Sequence, residues 1–372
     1  MANSTFYDAY IQALRRWLWI EDEEGIRITI ATAIAAMMPG DPIWLFVIDP
    51  PGALKTEICR SLTGSRVYSV DALTPQSLIS GFRAKKGERI DILPDLDGKV
   101  LIIKDFTTIL NQPERIRDEL LSKLRAAFDG SLEQAFGSGV KKKGYQATFG
   151  IIAAVTPVIE IYYKIHSLLG ERFISVKTGY NRQEAVKSAL KQSGKEAQMR
   201  DEIRQTARAM LDFYEVECRH TNLYLTNWDI DKIAALGESV AILRSSVARD
   251  YQRAVLYNPE AEVGTRLSKQ FFRLGQALEV LGHYDYSAIK RCGWDCVSSS
   301  RKRILECLSM LGETSTSELS EITRLSRNMV LTEGENLWLL EVLERKLEGN
   351  AYYFKISPKI EVTMRKAELI GG

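Results

Sequence analysis

No run of apolar residues in this chain is long enough to cross a bilayer, which argues against a membrane-spanning helix. The longest, at residues 28–38, reaches only about half of the ~20 residues that a span requires. Cysteine is scarce: Cys59, Cys218, Cys292, Cys296 and Cys307 are the five in 372 residues. An odd, scattered set argues against a disulfide framework and for reduced thiols in a cytosol-like compartment. Cys292 and Cys296 lack both the spacing and the second pair of a zinc knuckle. Neither sign of charge dominates, with 50 Lys+Arg against 48 Asp+Glu and a formal net charge of +2. The whole molecule therefore has no field that steers it to nucleic acid, and any polyanion contact must come from a local patch. The first residues carry no apolar core of a secretion signal, so a cytoplasmic location is expected. There is no internal repeat and no low-complexity tract.

What is present is ordinary for a globular protein with a real core: 45% apolar and 26% charged residues. The length suits two or three domains. Residues 4–38 read as helices, broken by an acidic turn at 21–25 and stopped by Pro39-Gly40-Asp41-Pro42. Residues 43–48 are a continuous apolar run, the mark of a strand buried on both faces. A Pro/Gly loop and a helix over 55–62 follow. A short β-like piece lies at 67–69, buried strands at 100–103 and 150–155, and an amphipathic helix at 114–128. Segments 132–136 and 145–149 flank a glycine- and lysine-rich tip and read as a hairpin. Strands alternating with helices indicate an α/β fold built on a parallel sheet. Residues 182–281 are helical in pattern throughout. A polar joint at 298–300 then precedes three helical stretches and an alternating strand at 352–356.

The segment Asp49-Pro50-Pro51-Gly52-Ala53-Leu54-Lys55-Thr56 stands between a buried strand and a helix, the context a phosphate-binding loop needs. In such a loop backbone N–H groups face the phosphates, the Lys reaches the terminal oxygens and the Thr hydroxyl holds Mg²⁺. Gly52, Ala53, Leu54, Lys55 and Thr56 are the expected nucleotide contacts, with ATP and Mg²⁺ as the expected cofactors. Two positions depart from the pattern: Asp49 and Leu54 stand where it has glycine. Leu54 places a side chain where the backbone approaches phosphate, and Asp49 adds negative charge. The strand at 100–103 runs into Lys104-Asp105, where a Walker B strand ends in two acids. Either Lys104 replaces the metal acid and Asp105 polarises water, or Asp105 is the metal acid in a register slipped by one. Lys104 weakens Mg²⁺ binding or contacts phosphate directly.

The order of these segments resembles the AAA+ superfamily, and within it the pre-sensor-1 hairpin group that includes the minichromosome-maintenance helicases. The likeness covers residues 40–282. It implies an α/β AAA+ core at 41–180, after N-terminal helices at 1–40, and a helical lid subdomain at 181–297. Residues 137–149 resemble that group's hairpin, running directly into the sensor-1 strand. By likeness Lys141, Lys142 and Lys143 touch the DNA backbone in the pore of a ring, a contact that is sequence-independent and salt-sensitive. Thr156 falls at the sensor-1 position, and Gly170-Glu171-Arg172-Phe173 resembles the arginine-finger segment. A finger at Arg172 acts on a neighbour's site and so implies a homo-oligomer, most simply a hexameric ring. Arg266 resembles the sensor-2 arginine, and Arg244 is a second candidate.

Residues 298–372 resemble a winged helix-turn-helix. Ser315-Thr316-Ser317-Glu318 caps its second helix. By resemblance the third helix enters the major groove, with Arg324, Arg327, Asn328, Arg345 and Lys346 as candidate DNA contacts. Many winged helices dock on protein instead, and Glu333 and Glu335 dilute the basic face.

Three functions are open on this basis. The first is an ATP-driven DNA motor of the minichromosome-maintenance kind, in replication of a phage or mobile element. The second is a nucleotide-binding, DNA-binding scaffold with little turnover, favoured by Asp49, Leu54 and Lys104. The third is a transcription activator of the enhancer-binding class, for which no polymerase-contacting loop is legible.

Overall fold

The continuous apolar runs pair side by side. In the computed structural model β1 (Trp44–Ile48), β2 (Val67–Val70), β3 (Val100–Ile103), β6 (Gly150–Val155) and β7 (Phe173–Lys177) form a parallel sheet in the order β2-β3-β6-β1-β7. The structure describes residues 3–52, 54–81, 91–137, 142–162, 172–179, 181–218, 227–252, 254–257 and 259–371. Ala53, Lys141 and the Gly170-Glu171 pair lie outside the described residues.

Crossovers and flanking helices bury β1 and β6 completely. Trp44, Phe46 and Ile48 alternate onto one face, where they meet Leu101, Ile103, Ile151, Ala153 and Phe173. Leu120, Leu121 and Leu124 of the amphipathic helix α6 (Glu114–Phe128) close that core. Phe46 stacks on Phe173 at 3.9 Å between ring centres, and the Trp44 indole satisfies its N–H on the Phe149 carbonyl at 2.9 Å. Each such buried side chain contributes roughly 2 kcal/mol. The opposite face packs on α2 (Glu23–Ala35) and α3 (Lys55–Ser61), behind α1 (Asn3–Trp17).

Short helices α4 (Pro75–Leu78) and α5 (Thr107–Leu110) fill the connections, and β4 (Ser131–Ala135) pairs with β5 (Lys142–Gln146) as an antiparallel hairpin. The second hairpin strand begins three residues before the expected position. Lys142 and Lys143 therefore lie in the strand rather than at the tip. Strand β7 was not anticipated. It is a short apolar run beside a segment read for its arginine alone.

The chain divides into two compact units. One comprises Met1–Tyr224 and Arg273–Asp285, the other Leu225–Phe272 and Tyr286–Gly372. The first contains the parallel sheet, α7 (Arg182–Lys191) and α8 (Glu196–Glu217). The second contains α9 (Asn227–Arg244), α11 (Tyr286–Asp295) and α12 (Ser299–Leu311). Helix α10 (Thr265–Val280) is divided between the two.

The expected polar joint at 298–300 is instead a helix start: Ser298 caps α12, accepting from the Arg301 N–H. Beyond it come β8 (Thr314–Ser315), α13 (Thr316–Thr323), α14 (Arg327–Leu339), β9 (Leu343–Glu348), β10 (Ala351–Ile356) and α15 (Pro358–Lys366). The three strands form an antiparallel sheet in the order β8-β10-β9. Ser315 and Glu318 form the capping box read from the sequence. The helical pattern over 182–281 is interrupted: the described residues of 245–264 form no helix and include an isolated bridge between Arg249 and Val255.

Candidate functional site

Connections from β1 and β6 leave in opposite directions. The chain from β1 returns as β2 at one edge, while the chain from β6 returns as β7 at the other. Adjacent strands whose connections diverge leave a crevice beyond their carboxyl ends, where α/β sheets bind ligands. The loop from Asp49 to Thr56 leaves the end of β1 at this crevice. The Asp49 N–H donates to the Val155 carbonyl of β6 at 3.2 Å, and the Thr178 N–H donates to the Ile48 carbonyl at 3.2 Å.

Within the loop, Gly52 has a φ of +83°, a conformation that disfavours any side chain, and its Cβ position is open. Leu54 adopts φ −62° and ψ −21° just before α3. That is right-handed helical backbone, which any L residue adopts, so the dihedrals there do not require glycine. Lys55 is 6% exposed, and its Nζ donates to the Asp49 carbonyl at 2.8 Å and the Pro50 carbonyl at 2.9 Å. The side chain thus closes the loop on itself. Burial holds the Lys55 ammonium below its usual range, against the opposing fields of Asp49 and Asp105. Asp49 is buried, and burial pushes its carboxyl up to about 6 while the Thr178 hydroxyl and Lys55 oppose the rise. Asp22, the cap of α2, reaches the same region and accepts from Gly179 N–H at 3.2 Å. Sequence reasoning missed it, because a helix cap carries no ligand signature.

Asp105 follows β3, is exposed, and accepts the Thr107 N–H at 3.0 Å. The Thr107 hydroxyl lies 3.4 Å from that of Thr156, at the end of β6. Asp105, Thr156 and Lys55 therefore gather at one end of the sheet. Lys104 is held differently: its ammonium pairs with Asp71 beyond β2 at 2.9 Å. No group of three His, Cys, Asp or Glu able to hold a metal ion exists among the described residues. The oxygen donors at hand, Thr56 and Asp105, suit a hard cation that takes its remaining oxygens from phosphate and water.

Arg172 is 5% exposed. Its guanidinium donates to Asp129 at 2.9 Å and to the Arg125 carbonyl at 3.2 Å, and lies over the Phe128 ring. A finger acting on another subunit requires exposure, so in this conformation Arg172 ties β7 to the end of α6. The hairpin lysines are engaged as well. Lys142 pairs with Glu133 at 2.7 Å, and Lys143 pairs with buried Asp91, which also accepts from Tyr145 at 2.8 Å and from the Ser80 N–H at 2.8 Å. That network anchors the hairpin.

In the second unit Arg266 pairs at 3.0 Å with Glu262, which lies just before its helix. Arg324, Arg327 and Asn328 are exposed at the start of α14, with no side-chain partner among the described residues. Arg324 adopts the left-handed conformation that ends α13. Arg345 is instead clamped, 3.6 Å over the Trp338 ring and 4.9 Å from that of Tyr352, and Lys346 pairs with Glu348. Arg301, 2% exposed, donates to Glu333 at 2.8 Å and to the Leu243 carbonyl at 2.8 Å, fixing α14 against the end of α9.

A separate cavity lies at the amino-terminal ends of the strands, lined by Met38, Pro42, Gly98 and Phe149 among others. It gathers no convergent charged groups, so the crevice at Lys55 is the stronger site. All five cysteines are free and buried; burial raises Cys59 to about 12 and Cys218 to about 11, so neither is a ready thiolate. No helix among the described residues is long and apolar enough to cross a membrane. No protein-family model matches the chain, and no curated protein matches it.

Proposed function

We propose that this protein binds a nucleoside triphosphate at Lys55 and DNA at the start of α14, as a nucleotide-controlled DNA-binding protein of the AAA+ type. One observation carries the reading: the 49–56 loop lies at the switch point of the parallel sheet, with Asp105 and Thr156 at the ends of the neighbouring strands. The residues fit the ligand. Lys55 supplies a cation, Gly52 the positive-φ turn, and Thr56 with Asp105 the hard oxygens for Mg²⁺. When bound, the metal neutralises phosphate charge. The chain's own task is to cradle the phosphates with backbone and Lys55 and to place Asp105 beside them.

The hairpin β4–β5 immediately before β6 supports assignment to the pre-sensor-1 group. The three-stranded sheet with α12, α13 and α14 supports a winged helix. Unpartnered Arg324, Arg327 and Asn328 support contact with DNA phosphate or base edges.

Between turnover and scaffolding, the side-chain contacts favour the scaffold. Arg172, Lys142 and Lys143 are held in internal ion pairs, and Asp49 places a carboxyl in the loop. The motor, acting as a homo-oligomeric ring, is the second reading, favoured by Asp105 and Thr156 at the crevice. Nucleotide titration by calorimetry, followed by phosphate release with and without DNA, tests both. Binding that Lys55→Ala abolishes, with turnover no faster than buffer, supports the scaffold. DNA-stimulated turnover overturns it in favour of the motor. No binding to the wild-type protein overturns both.

A further inference from the structure

A strict phosphate loop begins with glycine. Here that position is Asp49, and its side chain is 2% exposed. One carboxylate oxygen, Oδ1, has no hydrogen-bond partner among the described residues, and the neighbouring Thr178 side chain favours the ionised form. Two charged groups face the carboxylate: Lys55 from α3 favours its ionised form, and Asp22 from the cap of α2 opposes it. Lys55 makes no bond to the carboxylate, because its Nζ is held by the Asp49 and Pro50 carbonyls. Among the described residues Asp49 thus has one cation in reach, which it shares with Asp105.

Phosphate drawn to Lys55 competes for that cation and brings further negative charge toward a buried carboxylate that water cannot screen. Asp49 has neither the exposure to move into solvent nor, among the described residues, a second cation to turn to. A proton from solvent is the remaining counter-charge, and it converts the carboxylate to a carboxylic acid whose hydroxyl can donate. We propose that phosphate binding at Lys55 is coupled to protonation of Asp49, making this side chain the determinant of how affinity depends on ligand charge and on pH. The proposal rests on the nucleotide reading above and adds the proton to it. Burial already pushes the free carboxyl up to about 6, so at neutral pH the group is largely ionised and poised to take up the proton. The complex then holds more protons than the free protein, and affinity falls as pH rises.

The test is calorimetric titration of the full-length protein with a Mg²⁺-bound, non-hydrolysable ATP analogue. Buffers of differing ionisation enthalpy report the protons taken up. At about pH 7.5 the wild type should take up a large fraction of one proton per ligand more than Asp49→Asn does. Asp49→Asn should bind about fiftyfold tighter than wild type at about pH 8, and within about twofold near pH 5. Asp49→Gly, which restores the pattern's own residue, should behave like Asp49→Asn and covers any disturbance that the amide causes. Equal proton uptake and parallel pH profiles in all three proteins overturn the proposal while leaving the nucleotide site intact. Absence of binding in all three overturns the nucleotide reading and the proposal with it.

Discussion

Asp49 has consequences for folding as well as for binding. Its carboxyl moves from 3.8 up to about 6 on burial, so the native state holds the proton more tightly than the unfolded chain. The associated stability is fully present below about pH 4 and is lost as pH rises through about 6. Asp49→Asn should therefore stabilise the protein by roughly 2 kcal/mol at about pH 7.5 and by almost nothing near pH 4. Urea denaturation at the two pH values reads the difference, and an equal effect at both would remove the buried charge as its cause. Arg301 and Glu333 are the opposite case, two buried charges that meet at 2.8 Å. Removing the carboxylate takes the counter-charge from the buried guanidinium, so Glu333→Gln should destabilise by about 3 kcal/mol. A shift under 1 kcal/mol, roughly the worth of a surface pair, would mean that the guanidinium's carbonyl partners suffice.

Among the elements, α9 and α10 meet through glycine. A Cβ on Gly264 would stand 2.5 Å from the Gly237 backbone, and one on Gly237 would run into the Ser268 hydroxyl. Both lie below any tolerable contact, and backbone cannot yield as a flexible side chain can. Gly264→Ala should cost at least about 2 kcal/mol, read as a lowered melting temperature. A variant that melts with the wild type would overturn the tight glycine crossing. Element identity was legible where one signal dominated. Strands at 100–103 and 150–155 and helix 114–128 match the apolar runs and the 3.6-residue period, and the Ser315–Glu318 box is local chemistry. Strand β7 was illegible because three apolar residues acquire strand identity only by pairing with β1. The early start of β5 has a similar origin, since its register follows from Lys143 and Tyr145 reaching Asp91, some fifty residues away.

For the whole molecule, a net charge of +2 leaves little long-range attraction to DNA. With Lys142, Lys143, Arg345 and Lys346 engaged internally, the exposed arginines of α14 are the principal candidates for phosphate contact. Duplex binding measured against salt should give a shallow log–log slope, on the order of −2 to −3, and Arg327→Ala should reduce it by about 1. A slope steeper than about −6 would require phosphate contacts beyond α14, the released hairpin lysines included.

The order of apolar runs and breakers was enough to read an α/β fold on a parallel sheet and to locate Lys55, Asp105 and Thr156, because strand periodicity and glycine and proline chemistry act over a few residues. Which charges are available was decided only by the tertiary structure. Arg172, Lys104 and Lys143 look alike as free cations in a string of letters. Asp129, Asp71 and Asp91, each more than thirty residues distant along the chain, turn them into internal pairs. Coulomb attraction depends on distance in space and on burial, and neither is encoded in the spacing of residues along a chain.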